Sequence, residues 1–145
     1  MPAPRSPCAL CDADGGRLVL RTPTLRVVHA GEAAFPGFYR VVWHAHVAEF
    51  SDLSPADRSL CMEAVVQTEQ ALRAHLGPDK VNLASLGNMV AHLHWHVVAR
   101  FAWDTHFPAP VWAAAVREAP ADALADLAAR LPALEAELRE RLARL

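Results

Sequence analysis

Apolar and polar positions alternate with period two along His92-Leu93-His94-Trp95-His96-Val97-Val98. An extended strand therefore sends Leu93, Trp95 and Val97 to one face and three imidazoles to the other. At a rise of roughly 3.3 Å per residue, neighbouring histidines stand about 6 to 7 Å apart, within reach of one substrate or of a metal. One histidine on a strand is ordinarily a satisfied polar side chain. Three at this period, opposite an unbroken apolar stripe, point to chemistry.

The same reading predicts the other elements. Residues 18–21 and 25–29 are apolar runs around Thr22-Pro23-Thr24 and pair as two strands. Residues 38–43 form a continuous β-rich run of the kind found in a central strand. Ser54-Pro55 opens a helix, with Ser as N-cap, Pro at the first helical position and Asp57 in the first turn. Leu60, Ala64, Val65, Thr68, Leu72 and Leu76 give it one apolar face, and Gly77-Pro78 ends it. Residues 80–86 form a strand, 87–91 a tight connection and 92–101 the histidine strand, an antiparallel hairpin. If Leu86 pairs with His92, Ala84 lies opposite His94 and Asn82 opposite His96. In the Ala-rich tail, leucines from Leu124 to Leu145 recur at spacings of three or four, which predicts an amphipathic helix pair broken at Pro132.

Composition narrows the field. A chain of 145 residues is one domain, able to bury roughly 70 per cent of its unfolded surface. With 14 Lys+Arg against 16 Asp+Glu the net charge is −2. No basic field holds a nucleic-acid polymer, although a single nucleotide is not excluded. The start of the chain is Pro-rich, which predicts poor order over residues 1–7 and offers no apolar stretch for a signal peptide. No apolar run spans a bilayer. These features place the protein in the cytoplasm, where three cysteines form no disulfide framework.

The triad pattern near the end of a small α+β domain resembles the histidine triad (HIT) family of nucleotide hydrolases and transferases. The likeness includes Pro36-Gly37 before an apolar strand, the His46-Val47 step after it, the long middle helix, and Asn82 through Gly87-Asn88 ahead of the triad. It covers residues 8–101. The resemblance implies a five-stranded antiparallel sheet with helices on one side, and a homodimer. We expect a HIT domain over residues 1–110 and a helical extension over 111–145 packed on it.

Neutral imidazole is a good nucleophile near neutral pH and leaves readily from phosphorus, provided its second nitrogen donates to a fixed acceptor that sets the tautomer. By resemblance the nucleophile is His94. It attacks the α-phosphorus of a dinucleoside polyphosphate or nucleoside phosphoramidate, most simply one containing AMP. His96 contacts the phosphate or assists proton transfer to the leaving group. Asn82, Asn88 and the backbone at Gly87 are assigned to phosphate contact. The phosphoramidase branch carries Ser where Met89 stands, which removes one hydroxyl contact. Many relatives hold the ribose hydroxyls with an acid in the loop before Pro36, where Glu32 is the one carboxylate available.

Cys8-x-x-Cys11 alone is ambiguous between a redox pair and metal ligands. Some bacterial triad proteins and the related galactose-1-phosphate uridylyltransferases complete a tetrahedral zinc site with two histidines, at positions that correspond to His46 and His92. The resemblance thus implies a structural zinc and no organic cofactor, with His44 and His29 as alternative ligands. Cys61 and Trp95 are assigned to the core. Trp112, after a Pro-rich turn, is a candidate cap over the nucleotide pocket, from the same chain or from a partner subunit. Two other functions compete: a metallohydrolase with all three triad histidines on a catalytic zinc, and a nucleotide-binding regulatory module with little turnover.

Overall fold

The computed structural model describes residues 7–145, so the expectation of poor order over residues 1–7 lies, Pro7 apart, outside the described residues. A one-turn helix α1 (Ala9–Asp12) leads into β1 (Arg17–Arg21), β2 (Leu25–His29) and β3 (Phe38–Trp43). A 3-10 turn (Phe50–Asp52) precedes helix α2 (Pro55–Leu76), which is followed by β4 (Lys80–Ala84), β5 (His94–Arg100) and helix α3 (Ala121–Leu142). The strands form one antiparallel sheet in the order β1-β2-β3-β5-β4, the expected α+β architecture. No helix among the described residues is long and apolar enough to cross a membrane.

Local chemistry explains the boundaries. Every residue of β3 except Arg40 is buried, as an apolar run demands of a central strand covered on both faces. The Ser54 hydroxyl accepts the Asp57 N–H at 3.1 Å and starts α2. Gly77 ends α2 in the left-handed region at φ +58°, which a side chain there would strain. One face of the sheet, with Val27, Tyr39, Val41, Val97 and Ala99, packs on Ala64, Val65 and Leu72 of α2 and on Leu134, Leu138 and Leu142 of α3 in a single core. Alternation then sends Arg40, His94, His96, Val98 and Arg100 to the other face.

Two expectations are corrected. Ala84 lies opposite His96 and Asn82 opposite Val98, two residues away from the predicted register. The cause lies before β5: the Trp43 N–H donates to Leu93 O at 3.1 Å and the Leu93 N–H to Val47 O at 2.8 Å, so this stretch is bound to the end of β3 and leaves β4 earlier. The second correction concerns Pro132, which sits inside one continuous helix and does not divide a pair. A proline in a helix interior costs about 3 kcal/mol, and burial of Leu127, Leu131, Leu134, Leu138 and Leu142 along one side outweighs it. Glu135 adds a bidentate pair with Arg17, at 2.6 and 3.0 Å.

The far face of the sheet is closed partly by residues 101–112, held by a buried ion pair. Arg100 (2 % exposed) donates to both carboxylate oxygens of Asp104 (1 % exposed), at 2.8 and 3.1 Å, and to Asn82 Oδ1 and Ala109 O at 2.8 and 2.7 Å. Asp104 also accepts the N–H groups of Phe101, His106 and Phe107. Burial alone would raise the Asp104 pKa, but the Arg100 bonds and these three amides reverse it, and the net shift is downward. Asp104→Ala is expected to cost about 3 to 5 kcal/mol, because it leaves Arg100 buried and unpaired. Urea unfolding measures this loss, and a cost below about 1 kcal/mol would assign the pair no structural role.

Candidate active site

The three histidines of the triad lie at two places. His94 and His96 are half-buried on β5, whereas His92, just before the strand, is fully buried. The ring of His94 holds the carbonyl of His92 with Nδ1 at 2.7 Å. A carbonyl only accepts, so Nδ1 carries a proton, and in the neutral ring the Nε2 lone pair is left bare. That is the tautomer a nucleophilic imidazole needs. The ring of His96 stands 4.9 Å away, nearly perpendicular, with its other flank against the edge of Phe38.

Burial, with the nearby His94 and Arg40 acting in the same direction, pushes the His96 pKa down to about 4. Its Nδ1 is buried without a hydrogen-bond partner among the described residues. His96 is therefore neutral in the ligand-free protein at neutral pH. Its contribution to stability is complete above the ordinary value of 6.5 and is lost as pH falls through about 4. We expect its ring proton resonance to titrate near 4, and added phosphate to move that midpoint upward by favouring the cation. A midpoint near 6.5 would contradict the buried, charge-flanked setting.

A cavity of about 610 Å³ opens beside both rings, a volume suited to a small ligand. Gly87 and Asn88 line it, with Leu10 of α1, Arg40 of β3, Met89 and Trp112. Gly87 has φ +79°, so the connection turns there in a conformation that side chains rarely adopt. Asn82 and Glu32 lie elsewhere. Asn82 gives its amide oxygen to Arg100, and Glu32 borders a separate depression formed with Pro36 and the start of α3. Sequence reasoning missed Arg40, although it shares strand parity with Phe38 and Val42 and is the one charge in an apolar run. Trp112 comes to the pocket from within the same chain.

The second site gathers Cys8, Cys11, His46 and His92, whose ligand atoms all lie within 4.8 Å of one another. His92 Nδ1 stands 3.4 Å from Cys8 Sγ, 3.5 Å from Cys11 Sγ and 3.3 Å from His46 Nδ1, and Cys11 Sγ is 3.4 Å from His46 Nδ1. Tetrahedral zinc with ordinary bond lengths separates sulfur from nitrogen by about 3.6 Å and nitrogen from nitrogen by about 3.3 Å, so the four residues fit that ion. The Nε2–H of His92 donates to Trp43 O at 2.6 Å, which orients the ring and leaves Nδ1 free as a ligand. The alternative histidines are engaged away from the cluster: His29 with Pro36 O and the Gly31 N–H, His44 with Pro23 O and Arg21.

The chain is similar to solved histidine triad proteins. A histidine triad protein from Bradyrhizobium japonicum is 25% identical over 94% of this chain and 97% of its own, with a TM-score of 0.73. Histidine triad proteins from Marinobacter aquaeolei (21% identity, 91% and 92% coverage, TM-score 0.70) and Sinorhizobium meliloti (23%, 88% and 90%, 0.69) share the fold. No curated protein matches the chain in sequence. Residues 15–103, more than half of the chain and including the whole triad, match the family model of the HIT domain. The chain belongs to the HIT, or histidine triad, family.

Proposed function

We propose that this protein is a nucleotide hydrolase or nucleotidyl transferase acting through a phosphohistidine intermediate on His94. The observation that carries the reading is the 2.7 Å bond between His94 Nδ1 and the His92 carbonyl, which leaves Nε2 unprotonated beside a ligand-sized cavity. In the first step the Nε2 lone pair bonds to the α-phosphorus of a dinucleoside polyphosphate or nucleoside phosphoramidate. The bond to the leaving oxygen or nitrogen breaks, and that atom departs with the electron pair and takes up a proton. In the second step a water oxygen bonds to phosphorus, the P–Nε2 bond breaks with its pair returning to His94, and the water proton passes to solvent.

His96 acts on the leaving group. An anionic phosphate placed against it counters the charge of Arg40 and favours its protonated, donating form. Gly87 and Asn88, which border the same cavity, supply donors toward the phosphoryl oxygens. The Cys8, Cys11, His46 and His92 cluster is read as a closed structural zinc site that ties the start of the chain to the catalytic strand. His94 and His96 line the other cavity, and among the described residues the clustered ligand atoms are those of Cys8, Cys11, His46 and, of the triad, His92 alone. This disfavours a catalytic zinc held by three triad histidines. We further propose a homodimer in the cytoplasm with AMP-containing substrates.

The test is a rapid-quench incubation with adenosine 5′-phosphoramidate and with a diadenosine polyphosphate, read by intact mass. The expected result is a nucleoside monophosphate adduct that maps to His94. Turnover without any adduct on this residue would overturn the mechanism, and AMP binding with no product from either substrate would replace it with a regulatory module.

A further inference from the structure

The cavity beside His94 contains no carboxylate among its described lining residues, and its one permanent cation is Arg40. Arg40 faces it from β3, directly opposite His96 in the sheet register. Its guanidinium lies 5.1 Å from the centre of the Phe38 ring, and Nη1 donates to Gly15 O at 2.9 Å. Nε and Nη2 have no hydrogen-bond partner among the described residues. Glu32 acts on Arg40 only through space, without an ion pair, and borders a different depression. A half-buried guanidinium with two donating nitrogens unused is poised for an anion, and its planar fork matches carboxylate or phosphate oxygens.

Resting on the reading of His94 as nucleophile, we propose that Arg40 receives a second anionic group of the substrate, distinct from the phosphoryl group that His94 attacks. This group sets selectivity in place of a ribose diol, for which the cavity offers no carboxylate acceptor. The substrate class is then a nucleotide conjugate that carries a further phosphate on its nucleoside or a carboxylate on its leaving group. Both are oxyanions of the kind the fork accepts, and they enter from opposite sides of the scissile bond.

The experiment compares three substrates with the same scissile P–N bond: adenosine 5′-phosphoramidate, its 3′-phosphorylated form, and an amino-acid amide of AMP with a free carboxylate. In the unaltered protein at least one substrate with a second anionic group should exceed adenosine 5′-phosphoramidate, which has only its phosphoryl charge, in kcat/KM by about tenfold or more. Whichever does so identifies the source of the anion. Arg40→Gln should bring that ratio close to one, and Arg40→Lys, which keeps the charge but loses the fork, should retain part of it. A ratio near one in the unaltered protein, or one that Arg40→Gln leaves intact, overturns the proposal. Binding of AMP and adenosine 3′,5′-bisphosphate to His94→Ala, with and without Arg40→Gln, reads the anion site without any chemistry. A bisphosphate preference that depends on Arg40 there, beside absent turnover in the unaltered protein, would refute the nucleophile and retain the anion site.

Discussion

His94→Ala is expected to lower kcat by a factor on the order of 10⁴ to 10⁶, the range seen when an enzyme loses its nucleophile. The fold should survive. The ring is half-buried and its one hydrogen bond runs to the carbonyl of the residue two places before it, so stability should stay within about 1 kcal/mol of the unaltered protein. Steady-state turnover and thermal unfolding, measured on the same samples, separate loss of chemistry from loss of structure. The quench adduct should vanish with turnover. His96→Gln is the useful comparison, because it keeps a neutral donor beside an intact nucleophile; its turnover should fall less, and most steeply for substrates with poor leaving groups. Retention of most activity in His94→Ala would end the covalent reading.

Removal of the proposed zinc is expected to have the second large effect. The purified protein should carry about one zinc per chain, and a strong chelator, or Cys11→Ser, should lower the melting temperature by on the order of 10 °C. Cys8 and Cys11 flank Leu10, a buried residue packed with Val28 and Val42 on the sheet face that carries His94. Releasing the cysteines therefore loosens one wall of the cavity. It also frees the ring of His92, whose carbonyl sets the tautomer of His94, so turnover should fall as well, although less than in His94→Ala. Elemental analysis and calorimetry before and after chelation provide the measurement. A protein that is metal-free as isolated and refuses added zinc, or one whose melting temperature ignores chelation, would refute the structural site.

Much of the site was legible because it rests on local rules. A period of two over residues 92–98 predicts one face of imidazoles wherever the strand pairs, and in the folded protein Leu93 and Val97 are buried while His94 and His96 face a cavity. Ser54 and Gly77 mark the ends of α2 through bonds within a single turn of backbone. The Cys-x-x-Cys pair announced candidate ligands for the same reason, since both thiols come from one turn of chain. Asn82 shows the limit. Its position ahead of the triad suggested phosphate contact, yet its amide is held by Arg100, a residue whose partners depend on the path of the 101–112 segment.

Taken alone, the chain determined the α+β class, the order of its elements and the pairing of an apolar stripe with a histidine stripe, all consequences of periodicities of two and 3.6 that act within a few residues. Tertiary structure decided which two histidines join the cysteines, where β4 registers on β5, that α3 runs through Pro132, and that Arg40 and Trp112 wall the cavity. Those outcomes belong to contacts between segments far apart in sequence. Their free energies come from burial and from geometry that no local pattern encodes.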